Sequence, residues 1–228
     1  MKDEDIQRLI NKTFNKLKNT GGGKNASYIP ELAKADPKLF GISFVSCSGK
    51  VYDAGKSTTS VPIESISKLF TLARAVDDLG SKVVSKKIGH SGSWLPFNSA
   101  VAADLSPTHT INPFVNQGAM ATTSLLYMKD KSKFRARVLG NLDNFAGKKL
   151  GFNHAVYKSE SETNSKNMAL AYLLESHKRF YGEVNDTVDV YTQQCSKTVS
   201  ARDLATMACV FAKGGYHPHN NKKIISKE

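Results

Sequence analysis

Cysteine is scarce in this chain. Cys47, Cys195 and Cys209 are scattered through 228 residues with no C-x-x-C pair. That pattern excludes a disulfide framework and a cysteine-rich zinc site. No apolar run reaches 18 residues, so no membrane-spanning helix is expected. The opening Met1-Lys2-Asp3-Glu4-Asp5 mixes charges and lacks the apolar core of a secretory signal. Internal repeats and low-complexity tracts are also missing. The expectation from these absences is a cytoplasmic protein with no membrane partner.

Acidic residues are in deficit, with 20 Asp and Glu against 32 Lys and Arg, for a net charge of +12. Such a balance raises the question of a nucleic-acid partner. The basic clusters are short, however: Lys82 with Lys86-Lys87, residues 129–137, and Lys222-Lys223. None interleaves aromatics in the manner of a base-stacking platform. The expectation is a solvated basic surface and no nucleic acid. Apolar residues at 40% and charged residues at 23% are ordinary for a globular chain long enough to bury a core. A single domain over residues 1–228 is expected, with residues 1–23 forming a helix and glycine linker that belong to it.

In residues 4–18, Ile6, Leu9, Ile10, Phe14 and Leu17 recur at three- and four-residue steps, which predicts an amphipathic helix ended by Gly21-Gly22-Gly23. Gly41-Ile42-Ser43-Phe44-Val45 and Val51-Tyr52, with Ser48-Gly49 between them, predict a β-hairpin. After Pro62 the period becomes helical. Leu69, Phe70, Leu72, Ala73, Val76 and Leu79 form one apolar face, stopped by Gly80. Residues 91–110 are rich in Ser, Pro and Gly and read mainly as loop. Ser161 or Thr163 is placed to cap a helix running to about Phe180, and Val184, Val188 and Tyr191 suggest another. Ser200-Ala201-Arg202-Asp203 matches a capping box, and Gly214-Gly215 stop the helix it opens. No convincing third strand is visible. The pattern is that of a mostly helical α+β protein with a small sheet.

The sharpest chemical motif is Ser65-Ile66-Ser67-Lys68 at the start of the helix after Pro62. Serine and lysine three apart share one helical face. The serine lies beside the positive end of the helix dipole. A lysine kept neutral by burial, one turn on, takes up the hydroxyl proton and makes the serine a nucleophile. The bland alternative is a capping serine followed by a surface lysine.

The residues around this motif form a longer pattern. It runs through Tyr28-Ile29-Pro30-Glu31-Leu32-Ala33, Phe40-Gly41-Ile42-Ser43-Phe44-Val45 and Pro62-Ile63-Glu64-Ser65-Ile66-Ser67-Lys68-Leu69-Phe70-Thr71-Leu72. It continues in Pro96-Phe97-Asn98-Ser99, Asn112-Pro113-Phe114-Val115-Asn116-Gln117-Gly118-Ala119 and Ser159-Glu160 with Lys166-Asn167. Its last blocks are Tyr191-Thr192-Gln193-Gln194-Cys195-Ser196 and Asp203-Leu204-Ala205-Thr206-Met207-Ala208. In this order the blocks closely resemble the serine-dependent glutaminase family. The resemblance covers residues 28–218. It implies a fold like that of the β-lactamases and penicillin-binding proteins. It also implies hydrolysis of L-glutamine to L-glutamate and ammonia through an acyl-enzyme, with no cofactor and no metal, in a homo-oligomer. Position by position, the resemblance makes Ser65 the nucleophile and Lys68 its base. It places substrate contacts on Ser65, Asn116, Glu160, Asn167 and Tyr191. The residue types suit glutamine: Glu160 its α-ammonium, Asn116 and Asn167 its polar ends, and Tyr191 a hydroxyl of either polarity. If one helix held both Glu160 and Asn167, seven residues apart, they would share a face.

The chain also departs from the family pattern. Glu64 stands where the family has glutamine, and a carboxylate close to Lys68 would hold the lysine protonated. Gln117 follows Asn116 where a small residue is usual, and Lys56 stands where aspartate is common. Family members continue past the equivalent of Gly215 with a tyrosine, a K-S-G-type strand and an oxyanion-hole amide. The expectation is therefore a C-terminally incomplete domain lacking those strands, less stable and prone to pair through an open sheet edge. The alternative to a working enzyme is an impaired glutaminase-like interaction protein or fragment. A β-lactam hydrolase is disfavoured, since neither S-D-N nor K-T-G occurs.

Overall fold

The computed structural model describes residues 3–226. In chain order its elements are α1 (Asp3–Leu17), β1 (Gly41–Val45), β2 (Val51–Gly55), β3 (Val61–Pro62), α2 (Ser67–Leu79), α3 (Ser81–Ile88), α4 (Ala100–Leu105) and α5 (Asn116–Leu125). There follow α6 (Lys131–Ala146), β4 (Gly151–Phe152), α7 (His154–Glu162), α8 (Ser165–Ser176), α9 (Val184–Cys195), β5 (Lys197–Val199) and α10 (Ala201–Ala212). This is a mostly helical α+β architecture with small antiparallel sheets. Among the described residues no helix is long and apolar enough to cross a membrane.

The chain forms two compact units. The first draws on residues 3–62, 143–159 and 198–226. Its hairpin is the expected one: β1 and β2 pair antiparallel, with Val45 opposite Val51 and Gly41 opposite Gly55. Two strands bury too little alone, and helices supply the remainder. α1 lies against β2, with the Phe14 ring stacked on Phe40 at 5.5 Å and Gln7 Nε2 donating to Asp53 O at 3.0 Å. Gly55 is obligatory here, because its φ is +67° and a Cβ would stand 2.1 Å from the Phe14 ring. α10 packs on β1 and opens with the predicted capping box, Ser200 and Asp203 each bonding the other's backbone amide. A second sheet, ordered β3-β5-β4, sets Val61 opposite Val199 and Pro62 opposite Thr198. Its strands are two or three residues long, too short for alternation to be read from sequence.

The second unit comprises Ile63–Leu142 and Glu160–Lys197. α5 is its central helix, in contact with α2, α8 and α9. Every residue from Gln117 to Ser124 is buried, including four polar ones. Three of those satisfy themselves locally: Thr122, Thr123 and Ser124 donate to the carbonyls of Gly118, Ala119 and Ala121 at 2.7, 3.0 and 2.6 Å. Ala75, Val84, Ile88, Ala121, Leu126, Phe134, Val138, Leu174 and Val190 form one apolar cluster. Tyr191 joins Met120, Leu170, Val188 and Cys195 in another. On α2 the buried side is Ser67, Lys68, Phe70, Thr71 and Ala75, whereas Leu69 and Leu79 of the expected apolar face are exposed. The α2 C-terminus is tied to α6 through Asp78, which accepts from Arg74 Nε at 3.0 Å and from Arg137 Nε at 2.9 Å.

Residues 91–110 are mainly loop, as expected, but also hold the short α4, capped by Ser99 Oγ accepting from Ala102 N at 3.2 Å. Two local expectations are corrected. The chain between Glu160 and Phe180 holds two helices, and neither Ser161 nor Thr163 caps the second. α7 ends at Glu162, and α8 begins after Asn164. Glu160 and Asn167 therefore sit on different helices.

Candidate active site

All six candidate residues lie in the second unit. Ser65 sits in a 3-10 turn, Glu64–Ile66, that leads into α2. The turn is pinned by Ile63 N donating to Lys197 O at 2.8 Å, and by Ser67, whose Oγ donates to Glu64 O at 2.6 Å. Glu64 takes a left-handed φ of 49°, a conformation a non-glycine residue adopts at a cost of about 1–3 kcal/mol. The bend leaves Ser65 exposed while Ser67 and Lys68, the next residues but one and two, are buried.

Lys68 is 4% exposed. Its Nζ donates to Phe114 O at 3.0 Å and to Asn116 Oδ1 at 2.7 Å, with the Phe97 ring centred 6.0 Å away. Burial is the largest influence on the ammonium and pushes its pKa down, against the smaller upward pull of Cys195 and Glu160. Asn116, the first residue of α5, donates from Nδ2 to Asn167 Oδ1 at 3.0 Å. Lys68, Asn116 and Asn167 thus form one hydrogen-bonded row contributed by α2, α5 and α8. Among the described residues no hydrogen bond joins Ser65 to Lys68.

Glu160, near the end of α7, is 7% exposed, and its Oε2 has no hydrogen-bond partner among the described residues. Burial pushes its pKa up to about 8, helped by the neighbouring Glu64 charge and opposed by Lys68. Glu64 rises to about 7 through burial, and its Oε1 is likewise buried and unpartnered. The carboxylate that acts on Lys68 is therefore Glu160, not Glu64 as the sequence suggested. Glu64 acts on Glu160. Tyr191 is buried within its apolar cluster on α9. Gln117 is wholly buried and donates to Ser99 O at 3.4 Å.

A buried lysine with depressed basicity three residues on from an exposed serine, near a buried carboxyl group with an unpartnered oxygen, suits acyl transfer from a substrate carrying an ammonium group. Among the described residues no group of three or more His, Cys, Asp and Glu is placed to hold a metal ion.

Comparison with known proteins bears on this arrangement directly. The sequence profile of the family described as Glutaminase matches residues 23–228. The chain belongs to the glutaminase family. It is 44% identical over 223 residues to a glutaminase of Colwellia psychrerythraea, covering 98% of this chain and 72% of that one. Glutaminase 1 of Escherichia coli K12 is 37% identical with the same coverage. The solved structure of the probable glutaminase ybaS superposes with a TM-score of 0.96 at 36% identity, over 100% of this chain and 74% of the other. A probable glutaminase from Bacillus subtilis, complexed with 6-diazo-5-oxo-L-norleucine, gives 0.78 at 26% identity, over 98% and 66%.

Within this glutaminase chain, sequence reasoning missed several neighbours of the row. Cys195 lies 3.8 Å from Ser67 Oγ, and burial holds its thiol well above the usual range. Thr71 donates to Gln194 Oε1 at 2.7 Å, joining α2 to α9. The main-chain acceptor at Phe114 is invisible to any residue-type pattern.

Proposed function

We propose that the protein hydrolyses L-glutamine to L-glutamate and ammonia, with Ser65 as nucleophile and Lys68 as base. Family membership supports the substrate. The observation that carries the chemistry is Lys68, buried, depressed in basicity and fixed between two acceptors one helical turn from Ser65. Neutral Lys68 accepts the Ser65 hydroxyl proton as Oγ bonds to the side-chain amide carbon of glutamine. The tetrahedral adduct collapses, the C–N bond breaks, and Lys68 returns the proton to the departing ammonia. Water then adds to the glutamyl ester, again giving its proton to Lys68, and glutamate leaves with the Ser65 hydroxyl restored. Glu160 receives the α-ammonium, which offsets the cost of ionising a buried carboxylate. Asn116, Asn167 and Tyr191 complete the seat. The bound 6-diazo-5-oxo-L-norleucine in the Bacillus subtilis relative, a glutamine-shaped molecule, fits this substrate class. We further infer a cytoplasmic homo-oligomer that needs no cofactor. Light scattering on the eluting protein checks the assembly.

Ammonia release from millimolar glutamine tests the reading. Ser65→Ala and Lys68→Met should each lower kcat by at least ~10³-fold, on the scale of losing a nucleophile or its activating base. Turnover that survives Ser65→Ala refutes it.

A further inference from the structure

One of the two acceptors that fix Lys68 is a main-chain atom, Phe114 O, so its placement depends on the strap that carries it. The strap, residues 108–115, is strained and heavily tied. His109 and Ile111 adopt left-handed φ values of 60° and 67°, a rare choice for a β-branched residue. Thr110 Oγ1 donates to Ile88 O at 2.7 Å, Ser91 N donates to Ile111 O at 3.1 Å, and Ile111 N donates to Thr108 Oγ1 at 3.1 Å. These bonds fix the strap as far as Ile111. Beyond it, Pro113 has no N–H to donate. The Phe114 ring is 53% exposed, so ring burial does not hold the carbonyl in place.

The Asn112 side chain does. Its Oδ1 accepts from Phe114 N at 2.9 Å and Val115 N at 3.2 Å, and its Nδ2 donates to Ser91 O at 2.8 Å. Val115 is the N-cap of α5, and the next residue is Asn116, the second acceptor for Lys68. The backbone on which both acceptors stand is thus held by this one amide, together with the main-chain bonds Asn112 N to Thr110 O and Asn116 N to Phe97 O, each 2.8 Å. We propose that Asn112 is a positioning residue for Lys68, holding Phe114 O and Asn116 Oδ1 where they fix the lysine Nζ. The catalytic consequence rests on the reading of Lys68 as base; the physical link between Asn112 and Lys68 does not.

The charged or titratable groups that act on Lys68 are Glu160 and Cys195, both of which favour the ammonium. Both remain in an Asn112 variant. Releasing Phe114 O removes a dipole that stabilises the ammonium, so Lys68 should lose its proton at lower pH. The direct measurement is NMR titration of protein labelled with ¹³C-lysine, the Lys68 signal being the one missing from Lys68→Met. In Asn112→Ala its midpoint should fall by about one pH unit, the scale of one lost hydrogen bond to a charged group. Asn112→Asp keeps both acceptor contacts and should hold the midpoint at or above the parent value. Should the alanine variant not fold, Asn112→Ser takes its place, since its shorter hydroxyl cannot span both amides. In turnover, kcat should fall ~10–100-fold in the alanine variant, with KM changing less, and recover in the aspartate variant. An unmoved Lys68 midpoint overturns the proposal, whatever happens to activity. A shifted midpoint in a protein whose turnover ignores Ser65→Ala and Lys68→Met would instead overturn the catalytic reading and leave the clamp standing.

Discussion

Glu160→Gln should make the substrate-free protein more stable in alkaline solution while weakening its use of glutamine. Glu160 is held at about 8 against an ordinary 4.5, chiefly because burial penalises its charged form. Its folded value lies above the unfolded one, so the native state binds the proton more tightly. The stability linked to that proton is present in full below about pH 4.5, declines through the interval, and is gone above about pH 8. The whole rise corresponds to an upper limit of about 5 kcal/mol. Glu64 shares in the interaction, and the buried amide keeps its own need for partners, so about 3 kcal/mol is expected at pH 9. For a chain of this length that is a rise in Tm of about 6–12 °C. At pH 5, where the parent carboxyl is already protonated, the two proteins should melt within about 2 °C of each other. Thermal melts without substrate at the two pH values read this directly, because the difference between variant and parent cancels the titrating groups that do not interact with Glu160. Removing the ammonium's partner should cost glutamine about 2–4 kcal/mol in kcat/KM. Equal Tm differences at pH 5 and pH 9 would refute the argument that a buried, unpartnered charge sits at Glu160.

Gly118→Ala sets helix propensity against sterics. Alanine gains about 1 kcal/mol in a helix interior, but its Cβ would stand 1.8 Å from Asn112 O and 2.6 Å from Thr110 O. A net loss of about 3 kcal/mol or more is expected in urea unfolding, and a stabilised variant would contradict the packing described. Asp78→Ala strands Arg137 and leaves Arg74 only the longer contact with Asp77 at 3.9 Å; with both arginines about one-third exposed it should cost about 2 kcal/mol, short of the penalty for a fully buried pair. That loss should persist in 1 M NaCl, whereas a purely screened surface pair would show none.

What the sequence disclosed was local. The hairpin, α2 and the Ser200–Asp203 capping box are written in residues a few positions apart, and the structure has them where the pattern places them. α4 hid inside a Ser- and Pro-rich stretch, although Ser99 is a sound cap, because six residues show too little periodicity. The break between α7 and α8 falls at Asn164, whose side chain makes no capping bond. Asparagine is a favoured cap residue, but Ser161 and Thr163 near it carry the same preference, so the sequence does not single it out. Spacing alone suggested Ser65 and Lys68 as a pair on one helical face, but Ser65 stands exposed in the turn before α2 while Lys68 is buried on the helix. The bonds from Lys68 to Asn116 and on to Asn167 span 48 and 51 positions, so only the fold reveals them. The family resemblance named those residues, but it could not show that Glu64 presses on Glu160 rather than on Lys68.

The first unit gathers its parts from near the beginning, the middle and the end of the described chain, and that has a consequence for how the protein is made. α1, β1 and β2 leave the ribosome early, yet α10, the helix that covers β1, follows β2 by on the order of 150 residues. At a synthesis rate of about 5–20 residues per second that separation is roughly 7–30 seconds. During that time the second unit, whose described residues end at Lys197, has all of them synthesised before α10. The hairpin has α1 against β2 by then, but must wait for the cover that α10 gives β1. Slow synthesis through residues 56–200 should therefore lengthen the time in which nascent chains are captured by chaperones. Joining α10 to the N-terminal segment by circular permutation should shorten it.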